Sequence, residues 1–277
     1  MASAAEQALR FEFGANWRSF LDVLTPQRIA RAEASLAEML ETSSLAGRRF
    51  LDIGCGSGLF SLAARRMGAD VVSFDFDPLS VACAEELKRR HYPGDSRWQV
   101  MRGSVLDPAL MHGLGTFDVV YSWGVLHHTG AMWNAIAAAS ETVRPGGRLF
   151  IALYNDQGPK SVWWTRVKRT YNALPRWLQL PYLFVFGAAL EAGALGVSIA
   201  RLRPQQFVDR WRLYDNVRGM SRWHDVVDWV GGYPFEVAKP DAVLQFCRPR
   251  GFNLLRLTTC GGKMGCNEFV FERLGPA

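Results

Sequence analysis

Cysteine is scarce in this sequence: Cys55, Cys83, Cys247, Cys260 and Cys266 make an odd set of five. The opening MASAAEQALRFEF lacks a basic stretch followed by an apolar core, so no secretory signal is expected and a reducing cytoplasm fits best. Metal-ligand spacing is missing too. Cys260 and Cys266, even with His224, match no recognised ligand pattern, so no metal is expected. There is no dense basic arm and no recognisable RNA-binding module, and the net charge of +6 is spread along the chain, which argues against nucleic acid as a partner. Oligomeric state is left open by the sequence.

What is present is an ordinary globular composition, 49% apolar and 21% charged, enough for one large domain or one domain plus an insertion. Its most informative stretch is Phe50 to Gly58, FLDIGCGSG. A short apolar strand from Arg49 to Ile53 runs into Gly54, Gly56 and Gly58, which let the backbone turn tightly with no Cβ between it and a ligand. Leu59 to Met67 then reads as a helix whose first amides face the turn.

A nicotinamide-binding loop would need a third glycine where Leu59 stands. Here the loop is G-x-G-x-G with Cys55 inside it and an acid, Asp52, ahead of it. A carboxylate repels a pyrophosphate but suits an ammonium and a sulfonium, so the loop favours S-adenosylmethionine. Asp70 to Phe74 reads as the second strand. It ends in Asp75, followed by Phe76, at the distance where an acid accepts both hydroxyls of a ribose. Asp77, before Pro78 and a helical run, reads as a helix cap.

With GSVLDPALMHGLGTFDVVYSWGVLHH (Gly103 to His128) and ETVRPGGRLFIALYN (Glu141 to Asn155), the chain resembles the class I S-adenosylmethionine-dependent methyltransferases. Within them it is most similar to the ubiquinone-type O-methyltransferases, through TPQR (Thr25 to Arg28) and NDQGPKSVWW (Asn155 to Trp164). The resemblance implies an α/β fold, a Rossmann-like, doubly wound, mostly parallel seven-stranded sheet with an antiparallel terminal hairpin and a largely helical lid insertion. The residues agree. Strands alternate with helices from about Pro26 to Tyr154, Asp241 to Arg250 reads as a helix, and Asn253 to Thr259 and Glu268 to Arg273 read as strands. Three units are expected: 1–155, the donor-binding core; 156–239, the lid and acceptor-binding insertion; and 240–277, the last helix and hairpin.

Donor-binding residues expected on these grounds are Asp52, Gly54, Cys55, Gly56, Gly58, Asp75, Phe76 and Val105, the last packing on adenine. The resemblance adds Arg28, as partner of the donor's carboxylate, and Ser104, where relatives carry an acid for the adenine amino group. Asp107 is either a substitute for that acid or a helix cap. Trp123, just after the fourth strand, borders the methionine arm or belongs to the core. His128 and His127, in Leu126-His127-His128, and His224 are the candidate bases for a hydroxyl acceptor. The relatives carry L-E-H there, with the glutamate implicated in metal binding. Tyr154, Asn155, Arg218, Arg222 and Tyr233 are the acceptor-side candidates.

The expected activity is methyl transfer to a hydroxyl of a small apolar or amphipathic metabolite. Methylation of a surface polysaccharide sugar and a non-catalytic cofactor-binding scaffold are the alternatives. Leu178 to Ala200 is apolar over the length of a membrane span, interrupted by Pro181 and Glu191. A single crossing would part the terminal hairpin from its sheet, so the segment is either a buried lid helix or a peripheral membrane contact aided by flanking arginines.

Overall fold

The computed structural model describes residues 11, 21, 24–203, 205–212 and 222–275. Helix α1 (Pro26–Met39) is capped by Thr25, whose hydroxyl accepts from Arg28 N at 3.3 Å, and it buries Ile29, Ala32, Leu36 and Met39 at helical spacing. Then β1 (Arg49–Ile53), α2 (Leu59–Arg66), β2 (Asp70–Asp75), α3 (Pro78–His91), β3 (Trp98–Arg102), α4 (Pro108–Leu114) and β4 (Phe117–Trp123) alternate. A 3₁₀ turn (Leu126–His128), α5 (Met132–Glu141) and β5 (Val143–Tyr154) follow. Among the described residues, four helices come between β5 and the last part of the fold: α6 (Pro159–Ala173), α7 (Arg176–Ala200), α8 (Gln205–Arg212) and α9 (Arg222–Gly231). Helix α10 (Pro240–Cys247), β6 (Phe252–Thr258) and β7 (Cys266–Arg273) complete the fold.

The strands form one seven-stranded sheet in the order β3-β2-β1-β4-β5-β7-β6. β1 to β5 are parallel, while β7 runs antiparallel to both β5 and β6. Alternate residues of each strand serve opposite faces. Leu51, Ile53, Leu149, Ile151 and Leu153 pack with α4, α5 and α10, while Phe50 and Phe150 pack with α1, α2 and α3. The strand order reverses between β1 and β4, and there the carboxyl ends of adjacent parallel strands open a crevice. Ser122 Oγ, donating to Ile53 O at 2.9 Å, ties the two strand ends together at that point.

Two of the boundaries that differ from the sequence reading have a plain physical cause. β7 begins at Cys266 because Cys266 and Asn267 pair with Tyr154 and Leu153 of β5, a long-range pairing hidden behind a glycine-rich run. α10 stops at Cys247 and continues only as a 3₁₀ turn, since Pro249 offers no amide to extend an α-helix.

The lid helices have their own small core of Trp164, Val167 and Tyr171 (α6), Leu183 (α7), Val230 (α9) and Phe235. α7 is not a buried lid helix, contrary to one of the two expectations. Leu183 and Gly187 are its buried residues, whereas Trp177, Phe184 and Val185 are 74%, 59% and 66% exposed.

Candidate functional site

The glycine loop sits at the β1 side of the crevice. Gly54 N and Cys55 N both donate to Phe74 O, at 2.8 and 3.1 Å, which binds the loop to the end of β2. Gly54, Gly56 and Gly58 have φ of 74°, 53° and 81°, the left-handed region that side chains resist. At Gly54 an added Cβ would lie 2.3 Å from Val125 Cγ1, so the segment after β4 is packed directly on the loop. Gly58 lets α2 approach α3, since a Cβ there would be 3.0 Å from Ala84.

Asp75 stands beside the loop with its carboxylate oriented from both ends. Gly56 N donates to Oδ2 at 3.0 Å and Asp77 N to Oδ1 at 2.9 Å. Asp77 is the cap of α3, accepting from Leu79 N at 2.8 Å, as expected. Asp107 likewise caps α4, accepting from Ala109 N and Leu110 N at 2.9 and 3.3 Å, which accounts for its carboxylate.

Asp52 lies beneath the loop rather than in it. It is 2% exposed and accepts from Ser61 Oγ at 2.5 Å. Burial pushes its carboxyl up to about 7, and the nearby charge of Asp75 adds to the rise. A group so buried cannot touch a donor's ammonium directly and acts only through the local field. Because the folded state holds this proton more tightly than the unfolded chain, stability falls as pH rises from the ordinary value of 3.8 toward about 7. Asp52→Asn is expected to remove that slope. Urea unfolding at about pH 5 and about pH 8 should show a gain for the variant that grows with pH, on the order of a few kcal/mol.

Across the crevice, the Leu126–His128 turn presents two histidines in different states. His128 Nδ1 lies 2.6 Å from Pro234 O, and a carbonyl only accepts, so Nδ1 carries the proton and the neutral ring keeps its lone pair on Nε2. That is the tautomer of a general base. His127 is the opposite: Tyr154 N donates to its Nδ1 at 3.3 Å, leaving the hydrogen on Nε2. His127 is fully buried, and burial, then the positive charges of His128 and Lys168, hold its basicity well below the ordinary histidine value. The expectation that His127 could serve as a base is therefore corrected, because its free nitrogen is a donor. Among the described residues, that Nε2 has no hydrogen-bond partner.

Sequence reasoning missed the groups that hold this turn. Glu236 N donates to His127 O at 2.9 Å, and both Glu236 carboxylate oxygens accept from Met132 N at the start of α5, at 3.1 and 3.0 Å. Burial raises the carboxyl of Glu236 despite those bonds. Lys168 of α6 is fully buried, donates to Trp229 O, and lies 4.6 Å from the Trp229 ring centre and 4.7 Å from that of Phe235. Tyr154 joins these groups. Its ring centre is 4.0 Å from that of His127 and within 5.5 Å of those of His128, Trp229 and Phe235. No local sequence pattern links residues so far apart in the chain.

The other candidates fall around these two banks. Phe76 is 47% exposed beside Asp75, Val105 is buried, and Ser104 Oγ accepts from Leu106 N at 3.2 Å. Trp123 is half-exposed, with its indole nitrogen donating to Glu268 Oε1 at 3.0 Å. Arg28 lies in the first turn of α1. Asn155 is used within the protein: its N donates to Gly265 O at 2.9 Å and its Oδ1 accepts from Asn267 Nδ2 at 3.0 Å. Tyr233 is buried and its carbonyl accepts from Phe11 N. Arg218 lies outside the described residues, as do the side chains of Arg222 and His224, although both of the latter fall on α9.

Residues 51–151 match the family model described as a methyltransferase domain. That segment of the chain is thus similar to a methyltransferase domain. It is 35% identical over 140 residues to the ubiquinone biosynthesis O-methyltransferase of Marinobacter nauticus, covering 49% of this chain and 57% of that protein. It is 37% identical over 107 residues to the tRNA U34 carboxymethyltransferase of Trichlorobacter lovleyi, covering 39% of this chain and 32% of that protein. The chain thus spans little more than half of the first relative and a third of the second. The whole fold is similar to that of the Burkholderia thailandensis 1,6-didemethyltoxoflavin-N1-methyltransferase, with a TM-score of 0.51, 15% identity, and coverage of 99% of this chain and 92% of that one. The glycine loop begins just inside the matched segment of the methyltransferase domain, and the Leu126–His128 turn lies wholly within it.

Proposed function

We propose that this chain transfers a methyl group from S-adenosylmethionine to an oxygen of a small amphipathic acceptor. The observation that carries the donor assignment is Asp75, whose carboxylate Gly56 N and Asp77 N hold at the rim of the glycine loop. Half-exposed Phe76 beside it and buried Val105 are apolar neighbours for a base. When bound, the donor supplies an electrophilic methyl group on a positively charged sulfur.

The protein's own contribution is placement and proton handling. His128 Nε2 takes the proton of the acceptor hydroxyl, and Pro234 O steadies the imidazolium that results. Tyr154, Trp229 and Phe235 give the acceptor side an aromatic wall. That wall favours an apolar acceptor over a polysaccharide sugar. The named relative is an O-methyltransferase of ubiquinone biosynthesis, which supports an oxygen acceptor. Radiolabel from S-adenosylmethionine should enter a small-molecule or lipid extract. Label found only in RNA or only in polysaccharide would overturn this assignment.

We also propose that α7 rests on the cytoplasmic face of a membrane. Among the described residues it is the one helix long and apolar enough to cross a bilayer, with mean hydropathy 1.9 and 11% of its most apolar window buried. Crossing is opposed by topology: β5 precedes α7 and β7 follows it, yet the two are paired in one sheet. Arg176, Arg201 and Arg203 flank the apolar surface, as an anionic interface requires. The protein should sediment with anionic vesicles at low salt, and Phe184→Glu with Val185→Glu should abolish this. Full retention by the double variant would remove α7 from the contact.

A further inference from the structure

The structure assigns Glu236 the task of positioning His128: its carboxylate fastens the strap that joins lid to core, which keeps Pro234 O within reach of His128 Nδ1. The inference rests on His128 being the base proposed above. The strap is Gly232 to Lys239, between α9 and α10, and it meets the core at successive residues beside the two histidines. Pro234 O accepts from His128 Nδ1 at 2.6 Å, Glu236 N donates to His127 O at 2.9 Å, and Ala238 N donates to Tyr154 O at 3.0 Å. One side chain of the strap adds a fourth bond. Both carboxylate oxygens of Glu236 accept from Met132 N, at 3.1 and 3.0 Å.

Met132 is where such a bond counts, because α5 has no cap of its own: Ala131 stands at the cap position and its side chain makes no hydrogen bond. Glu236 supplies the missing acceptor from 104 residues away. The start of α5 is in turn tied to the histidine turn. Thr129 Oγ1 donates to Leu126 O at 2.7 Å and accepts from Ala131 N at 3.2 Å, so turn and helix end form one unit. The strap is the part that comes from the lid, and the Glu236 carboxylate is what holds it to that unit. Without it, the backbone bonds at Glu236 and Ala238 remain, and neither fixes Pro234 O, two residues nearer the lid. Once Pro234 O drifts, Nδ1–H loses its acceptor. The neutral ring then samples both tautomers, one of which carries a proton where the base needs a lone pair. The role is one of geometry rather than charge, since burial raises the Glu236 carboxyl and an amide oxygen in the same place also accepts from Met132 N.

The test is the tautomer of His128, read from long-range proton–nitrogen NMR spectra of the full chain labelled at its histidine nitrogens, at about pH 8 where the ring is neutral. Signals that vanish in His128→Ala identify the residue. The wild-type protein should show a single tautomer with the proton on Nδ1, Glu236→Ala a mixture of both, and Glu236→Gln the wild-type pattern again. Should the alanine variant not fold, Glu236→Asp, one methylene short of Met132 N, carries the same expectation. Transfer to the labelled acceptor fraction should fall by about tenfold to a hundredfold in Glu236→Ala, the scale of a misplaced catalytic group, and recover in Glu236→Gln, while S-adenosylhomocysteine binds all of them alike. A fixed Nδ1–H tautomer in Glu236→Ala or Glu236→Asp, or a glutamine variant that fails to restore it, would overturn the inference. The spectra need neither donor nor acceptor, so that failure is distinct from failure of the base itself, which shows as transfer surviving in His128→Ala.

Discussion

Replacing His128 with alanine should lower methyl transfer by about 10² to 10⁴, the range supplied by a positioned general base, while S-adenosylhomocysteine binds as before. The size follows from the tautomer. Pro234 O fixes the proton on Nδ1, so the only lone pair on the neutral ring is at Nε2, and alanine removes it. The pH profile separates this from mere packing. Wild-type transfer should fall as pH is lowered, because protonation of Nε2 removes the base, and the residual rate of the variant should lack that limb. His127→Gln should leave the limb in place, since burial and the charges of His128 and Lys168 keep His127 neutral already. Kinetics of the three proteins with the labelled acceptor fraction would check both statements. A His128→Ala enzyme within a few fold of wild type would remove the base from the mechanism.

Asp75→Ala should weaken S-adenosylhomocysteine binding by at least about 10²-fold, the second large effect. Hydrogen bonds to a charged group contribute about 1.5–3 kcal/mol each, and the ribose hydroxyls of the donor are the proposed partners of this carboxylate. Part of the loss is indirect, because Gly56 N and Asp77 N also lose their acceptor. Asp75→Asn, which keeps a carbonyl oxygen for one of those amides, should fall between the two. Equilibrium titration of the three proteins measures this. Equal affinity in all three would take Asp75 out of the site.

The sheet and the donor side were legible in the sequence because their signals are local. Gly54, Gly56 and Gly58 are needed at positive φ, and Asp75 ends an apolar strand one turn away in the fold. The helix caps Asp77 and Asp107 were readable for the same reason, each lying next to the helix it starts. The acceptor side was only half legible. His127 and His128 are adjacent and look alike, and they differ through Tyr154 N and Pro234 O, partners 27 and 106 residues away. Asp52 reads as a donor-facing carboxylate in LDIGCG, yet it lies buried beneath the loop, accepting from Ser61 on α2. Glu236 carries no motif and caps a helix that begins 104 residues earlier. α7 misled in a different way. Composition cannot distinguish an apolar helix that is buried from one left bare, and only the packing of α6, α7 and α9 shows that most of it is bare.

Calorimetric titration of the full chain with S-adenosylhomocysteine and, separately, with NADH tests the donor assignment on which the rest depends. Saturable heat with S-adenosylhomocysteine, lost in Asp75→Ala, and none with NADH is the predicted result. Tight binding of NADH with no heat from S-adenosylhomocysteine would contradict it.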